Sequence, residues 1–162
     1  MNDFGRLFEA LAQARVEVIL VGGVAARVHG SARLTEDVNF VYRRDPENRE
    51  RLTRALQPLA PYLRGAPPDL PFIWDAATLS RRYNFTLTPA LGALVLLAET
   101  PGGGRYEDLI GSSEVVELYG QSVRVLGLRR LIEVKRAAGR PKDLDAAAEF
   151  EVLLQAEIER SP

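Results

Sequence analysis

Cysteine is absent from this sequence of 162 residues, and histidine, methionine and tryptophan each occur once. Without a thiol, the chain has no disulfide, no thiolate nucleophile and no cysteine-ligated zinc. The single histidine, His29, excludes a histidine-rich metal site and argues against a Ser-His-Asp triad. These absences remove three common classes of functional site.

An excess of charge of either sign is also lacking. The chain has 21 Lys and Arg residues against 22 Asp and Glu residues, for a net charge of −1. There is consequently no bulk electrostatic attraction to nucleic acid, although local basic patches are not excluded.

Long apolar segments are missing as well. No apolar run reaches the roughly 18 residues that a membrane-spanning helix requires. The N-terminal segment MNDFGRLFEALAQA has the pattern of an amphipathic helix, and it lacks the basic start and continuous apolar stretch of a signal peptide. We therefore expect a cytoplasmic protein with no membrane partner.

What is present is typical of a globular protein, with 46% hydrophobic and 27% charged residues in 17.9 kDa. We expect one domain over residues 1–162, with C-terminal helices at about residues 126–160 packed on it.

The hydrophobic periodicity predicts alternating helices and strands. Residues 100–110 are expected to be a flexible loop that leads to a short turn, and residues 83–99 to be one long or two short strands. The other predicted elements are helix 3–14, strand 16–21, helix 24–29, strand 38–42, a helix from Pro46, a hairpin that turns near residues 119–121, and two helices separated by Gly139-Arg140-Pro141. This order predicts a mixed α/β (α+β) sheet flanked by helices.

The most informative segment is VGGVAARVHGSARLTEDVNFVY, residues 21–42. A diglycine turn before a short helix exposes backbone N–H groups with little side-chain bulk, which favours an anion such as phosphate. If the following segment is extended, Thr35, Asp37 and Asn39 share one face of the strand. A phosphate cradle beside a polar strand face suggests a site for a nucleotide and a metal ion.

This segment resembles the nucleotidyltransferase (DNA polymerase beta-like) superfamily, in its minimal nucleotidyltransferase and abortive-infection toxin branch. The family pattern is a strand, Gly-Gly or Gly-Ser, a short helix ending in His-Gly, and then Arg-x-Thr-x-Asp-x-Asp. The residues that follow this pattern in order are Gly22, Gly23, His29, Gly30, Arg33, Thr35 and Asp37. Residues 85–110 are similar to the third-carboxylate strand and its loop, and residues 123–144 to the segment with Lys135 and a Gly-Arg-x-Lys-Asp turn.

Two positions depart from the family pattern. Asn39 stands where the family has the second Asp, and Val95 falls where its third carboxylate is expected. Alternation turns Glu36 to the opposite strand face, and Glu99 lies about 13 Å beyond Val95 along an extended strand. Mg²⁺ prefers anionic oxygen ligands, so only Asp37 remains as a strong metal ligand of the three positions.

The resemblance implies a function for each of these residues. Asp37, Asn39 and Val95 occupy the catalytic positions, with Asp37 as the ligand of Mg²⁺ if the protein is active. The residues implied in nucleotide binding are Gly22, Gly23, His29, Arg33, Thr35, Lys135 and Arg140. Each also has a purely structural interpretation: a tight turn for the glycines, packing at a helix end for His29, and a solvated charged surface for the three cations.

The functional hypotheses follow from the same resemblance. An active protein would transfer a nucleoside monophosphate from an NTP to an acceptor hydroxyl, on tRNA, another RNA or a protein. The alternative is a degenerate, non-catalytic member that binds a nucleotide or a partner protein, such as a component of a toxin–antitoxin pair. A third alternative is an inactivated version of an active parent, because both lost positions are carboxylate positions.

Overall fold

A computed structural model describes residues 4–35, 37–61, 74–81, 85–87, 93–102 and 104–161. The helices are α1 (Phe4–Gln13), α2 (Gly22–Val28), α3 (Pro46–Leu56), α4 (Ala76–Arg81), α5 (Tyr106–Leu109), α6 (Leu128–Ala138) and α7 (Pro141–Arg160). The strands are β1 (Val18–Val21), β2 (Asp37–Tyr42), β3 (Phe85–Leu87), β4 (Ala93–Leu97), β5 (Glu99–Thr100), β6 (Gly104–Arg105), β7 (Ser113–Leu118) and β8 (Gln121–Leu126).

Six strands form one mixed sheet in the order β3-β4-β2-β1-β8-β7. Strand β2 is antiparallel to β1 and parallel to β4, while β8 is parallel to β1 and antiparallel to β7. The mixed α/β architecture with flanking helices is the predicted fold class, which is therefore confirmed.

The helices bury one face each, as their periodicity predicts. In α1 the residues at helical spacing, Phe4, Leu7, Phe8 and Leu11, are all buried. This helix packs against α3 and β8, and the Phe8 ring meets Phe40 of β2 edge-on at 5.5 Å between centroids. Helix α2 packs on β1 and β2, and α6 packs against α7. One hydrophobic core contains residues from Phe4 through Phe150.

Local sequence signals set several boundaries. Helix α3 begins at Pro46, where the Asp45 carboxylate accepts a hydrogen bond from Asn48 N at 3.2 Å. Helix α6 ends at Gly139, which has a φ of 71°, and α7 then begins at Pro141. The predicted positions of the α3 start and of the α6–α7 break are confirmed.

Residues 99–109 differ from the prediction of a flexible loop and a short turn. Strands β5 and β6 form a separate two-stranded ribbon, and α5 follows it directly. Thr100 Oγ1 donates a hydrogen bond to Gly104 O at 3.3 Å, and Asp108 Oδ2 accepts one from Arg105 N at 3.1 Å. These local polar contacts and the two-residue strands carry no apolar alternation, so a search for that alternation does not detect them.

The predicted long or double strand at residues 83–99 contains two strands, β3 and β4, in antiparallel register. The interruption expected at Pro89 and Gly92 lies outside the described residues, as does Glu36. The extent of the domain over residues 1–162 stays a prediction. No helix in the described part of the chain is long and apolar enough to cross a bilayer.

Candidate functional site at the diglycine turn

Gly22 and Gly23, the first two residues of α2, directly follow β1 and pack closely against β2 and the segment before it. Gly22 has a φ of 70°, and a Cβ atom added to it would lie 2.5 Å from Asn39 Nδ2. A Cβ added to Gly23 would lie 2.9 Å from both Cβ and Oγ1 of Thr35. Side chains larger than hydrogen are therefore disfavoured at both positions, and position 22 is strained for any L-residue. The diglycine turn lies directly against the strand segment that the sequence analysis selected.

The register of the sheet aligns the three predicted catalytic positions. Val21 pairs with Asn39 between β1 and β2, and Asn39 pairs with Val95 between β2 and β4. Asp37, Asn39 and Val95 are all half-buried, whereas Val38 between the first two is fully buried. Because alternate side chains share a face, Asp37 and Asn39 lie on the face away from Val38. Residues from three strands and the turn thus meet where these central strands begin or end, a place here called the diglycine edge.

Asn39 carries an unusual feature at this edge. Its Oδ1 atom is buried and has no hydrogen-bond partner among the residues that the structure describes. An unpaired buried acceptor costs about 1–3 kcal/mol, so it marks a place where a donor or a cation would be stabilising. Thr35 Oγ1, in contrast, donates a hydrogen bond to Asp37 O at 3.0 Å, which fixes the start of β2.

The donor set decides which metal arrangement fits. Among the described residues, no group of three His, Cys, Asp or Glu side chains is placed to hold an ion. The edge offers one carboxylate, from Asp37, and one amide oxygen, from Asn39. Mg²⁺ is commonly held by one or two carboxylates together with substrate phosphates. These donors fit a single Mg²⁺ that arrives with a triphosphate, and they do not fit a pair of ions held by three carboxylates.

Arg33, one of three Arg or Lys residues predicted to bind nucleotide, has a partner within the protein. Arg33 is exposed and forms two hydrogen bonds to Glu149 of α7, from Nε at 2.5 Å and from Nη2 at 2.9 Å. Hydrogen bonding from Arg33 lowers the pKa of the Glu149 carboxyl below its ordinary value. Arg33 therefore ties the segment before β2 to the C-terminal helix.

Lys135 and Arg140 converge on a single carboxylate, that of Asp143, which is 1% exposed. Arg140 donates from Nε at 2.6 Å and from Nη2 at 3.3 Å, and Lys135 Nζ lies 3.5 Å from Asp143 Oδ1. The hydrogen bonds from Arg140 are the main cause of a lowered pKa at Asp143, which burial opposes. This ion cluster joins α6 to α7 across the Gly139 break.

His29 also has a structural contact. It follows the last residue of α2, and its Nε2 donates a hydrogen bond to the carbonyl oxygen of Leu126 at 2.9 Å. This bond links the end of α2 to the end of β8.

One cation that the sequence analysis missed lies on α2, the helix that begins with the two glycines. Arg27 follows Gly23 by four residues on α2, so the two positions share a helix face. Its side chain is exposed and, within the described part of the chain, forms no ion pair. Arg27 and Thr35 line the same cavity. The available signal was the i, i+4 spacing from the diglycine, whereas the sequence analysis had followed the family pattern to Arg33.

Comparisons with known proteins bear on the fold. No family model matches the sequence, and no curated protein matches it. Among solved structures, the chain is similar to the antibiotic-resistance factor ANT(2'')-Ia, with 18% identity, a TM-score of 0.54, and coverage of 96% of this chain and 89% of that one. It is also similar to TM1012 of Thermotoga maritima, a protein assigned to the nucleotidyltransferases, with 14% identity, a TM-score of 0.50, and coverage of 96% and 90%. The chain has the fold of the nucleotidyltransferases, as its sequence pattern predicts.

Proposed function

We propose that this protein binds a nucleoside triphosphate at the edge formed by the diglycine turn, Asp37 and Arg27, and that it has lost most of the transfer chemistry of its fold. The observation that carries this proposal is the β2–β4 register, in which Asn39, the residue that lies against Gly22, pairs directly with Val95. Two of the three carboxylate positions at this edge are therefore uncharged.

The chemistry of phosphoryl-type transfer explains why this loss matters. Such reactions depend on positioning and on neutralising the charge of the triphosphate and the attacking hydroxyl, which Mg²⁺ ions normally supply. The donors of this edge fit one ion, with Asp37 as its charged ligand. Asp37 and Asn39 would hold that ion, and Arg27 would bind phosphate. Binding can persist under these conditions, whereas the rate is expected to fall by orders of magnitude.

The test measures binding and turnover separately. We expect NTP with Mg²⁺ to raise the melting temperature of the protein, because a ligand of the native state stabilises it by mass action. Arg27→Gln should weaken NTP binding several-fold, as expected for the loss of one phosphate cation. Arg54→Gln is the matched control, because Arg54 is also an exposed arginine in the last turn of a helix.

Transfer is measured with labelled NTPs and a total-RNA or lysate acceptor. The proposal predicts binding without detectable label transfer. It is overturned if the wild-type protein binds no NTP, or if Arg27→Gln and Arg54→Gln bind NTP with the same affinity as wild type.

The second candidate function is active transfer of a nucleoside monophosphate to an acceptor hydroxyl. The unpaired Oδ1 of Asn39 favours it, because that oxygen is a second ligand for an ion at Asp37. Mg²⁺-dependent labelling of an acceptor by the wild-type protein, abolished by Asp37→Asn, would establish this candidate over the first. The acceptor itself, on RNA or a protein, stays a prediction from the sequence.

A further inference from the structure

A cavity of about 440 Å³ lies beside α2 and is here called the α2 cavity. Its apolar walls come from α1, α2 and the β7–β8 hairpin, through Phe4, Val24, Val28, Leu118 and Tyr119. This volume lies within the roughly 300–1,000 Å³ range of small-molecule sites, which are mostly apolar with a few polar groups. The α2 cavity therefore has the size of a small-molecule site, with apolar walls beside polar groups.

The α2 cavity adjoins the diglycine turn through two residues. Thr35, which packs on Gly23, is one of its polar lining residues, and Arg27 is the other. Gly23 and Arg27 are separated by about 6 Å along α2. A ligand with phosphates at the turn could therefore place its remaining part in the cavity.

The α2 cavity differs from a larger cavity in the charge of the residues that line it. A cavity of about 500 Å³ near the start of α6 is lined by three glutamates, Glu114, Glu133 and Glu157, besides its arginines. None of the described residues that line the α2 cavity is acidic, and Arg27 is its only charged residue among them. The carboxylates of the larger cavity would repel a polyphosphate ligand, whereas the described lining of the α2 cavity has no carboxylate to do so.

Tyr119 has an unexpected backbone conformation for an aromatic residue. It occupies the first central position of the two-residue β7–β8 turn, with a φ of 53°, followed by Gly120 with a φ of 76°. Such turns favour Asn or Asp before Gly, and a bulky residue with positive φ is strained. Backbone strain of this kind is concentrated at functional sites.

The Tyr119 side chain is oriented for stacking. It is 53% exposed, and its ring stacks on Phe8 with 5.2 Å between centroids and 26° between planes. A ring held by a neighbour on one side, while it also lines a cavity, is a suitable platform for a nucleobase, since every base has a π-face.

We propose that the α2 cavity holds the nucleobase of the nucleotide whose phosphates bind at the diglycine turn, with Tyr119 as the stacking residue. This inference rests on the proposed function. It adds that recognition of the ligand includes the base as well as the phosphates.

The experiment compares ligands with and without a base. Affinities for ATP, GTP, CTP, UTP and inorganic tripolyphosphate are measured by calorimetry at one Mg²⁺ concentration. Wild-type protein should bind at least one NTP more tightly than tripolyphosphate. Tyr119→Asn should weaken that NTP about tenfold, the loss expected for one base–aromatic stack, and leave tripolyphosphate unchanged. Tyr119→Trp should retain NTP affinity.

A fluorescence measurement gives a second readout that does not depend on removing the aromatic ring. The base of a bound NTP should quench the new indole of the Tyr119→Trp variant, and tripolyphosphate should not. Wild-type protein is the control, because its single Trp, Trp74, is buried and does not line the α2 cavity, so its fluorescence should not respond to the base.

The outcomes separate the two proposals. If wild-type protein binds tripolyphosphate as tightly as every NTP, or if Tyr119→Asn is folded and binds NTP as wild type does, the base site is wrong and the phosphate site stands. Equal loss of NTP and tripolyphosphate in Tyr119→Asn also overturns the base site. If the wild-type protein binds neither ligand, the proposed function falls and this inference with it.

Discussion

Two polar regions of the molecule differ in whether their polar and charged groups have partners within the described structure. At the α6–α7 junction, the cations Lys135 and Arg140 are both paired with the buried carboxylate of Asp143. At the diglycine edge, Asn39 Oδ1 is buried without a partner, and Arg27 is unpaired within the described residues. At the junction both cations are paired with one carboxylate, and this ion cluster joins two helices. At the edge, a buried acceptor and an exposed cation have no partner among the described residues.

The difference shows that a family pattern does not decide what a charged residue does. Arg33, Lys135 and Arg140 were all predicted to bind nucleotide, and each has a carboxylate partner within the fold. A cation already bound by an internal carboxylate must lose that interaction before it binds phosphate. The residues with spare capacity are better candidates, and the following variants test this contrast.

The largest expected effect is a gain of chemistry at the diglycine edge. The Asn39→Asp, Val95→Asp double variant should show NTP transfer at least about 100-fold above wild type, because catalytic groups commonly contribute 10² or more to a rate. It should also gain stabilisation by Mg²⁺ alone, since three carboxylates would then lie together. Label transfer and melting temperature with and without Mg²⁺ measure the two effects.

The matched control is the Asn39→Asp, Val95→Asn variant, which is polar at position 95 and carries no charge there. A double-carboxylate variant that is folded and gains neither transfer nor Mg²⁺-dependent stability would mean that position 95 is not a carboxylate position of this fold.

The next effect is a loss of stability at the α6–α7 junction. Asp143→Asn should lower the free energy of unfolding by about 2–3 kcal/mol, because it leaves two cations without their buried carboxylate. Asp145→Asn is the control, since Asp145 lies on the same helix and is exposed. Chemical denaturation of the three proteins measures the difference.

The effect of Asp143→Asn on the free energy of unfolding should depend on pH. The pKa of Asp143 is lowered below its ordinary value of 3.8 in the folded protein. The folded state then favours the ionised form, so its contribution is present above pH 3.8 and is lost as the pH falls through the lower, folded-state pKa. The stability difference between wild type and Asp143→Asn should therefore shrink as the pH falls below about 4. A difference that is unchanged between pH 7 and pH 2 would show that the ion cluster is not its source.

A smaller effect is expected at the diglycine turn. Gly22→Ala should cost about 1–2 kcal/mol of folding stability, because position 22 has a positive φ and the new Cβ would press on Asn39. Gly111→Ala is the control, since a Cβ added there meets no atom within 4 Å. Equal stabilities of the two variants would contradict the close approach of the turn to Asn39.

The smallest effect is expected at Arg33. Arg33→Gln should leave NTP affinity unchanged, because this exposed side chain is paired with Glu149. Its effect on stability should also be slight and should diminish in high salt, since exposed ion pairs contribute little and are screened. A drop in NTP affinity as large as that of Arg27→Gln would reverse the contrast drawn above.

The fold could be predicted from sequence because its elements have strong local signals. The spacing of Phe4, Leu7, Phe8 and Leu11 predicted α1, and Pro46 predicted the start of α3. The Tyr119-Gly120 turn and the Gly139 break were placed within a residue or two. The β5–β6 ribbon was missed, because its strands have two residues each and carry no alternation.

The candidate site was predictable only in part. The diglycine, Thr35, Asp37 and Asn39 come from one segment, so strand alternation and the turn were enough to group them. The role of Arg33 could not be read locally, because its partner, Glu149, lies 116 residues away. The sequence could not predict that Tyr119 lines the α2 cavity, since this residue belongs to a hairpin about 90 residues beyond α2.

The sequence by itself determined most of the helices and strands, and it places uncharged residues at two positions where the family resemblance predicts carboxylates, because periodicity, turn residues and side-chain chemistry are local properties. Only the tertiary structure decided which cations are neutralised, which buried oxygen has no partner and which residues enclose a cavity. Those properties depend on distances between residues far apart in the chain, and packing of the sheet and helices sets these distances.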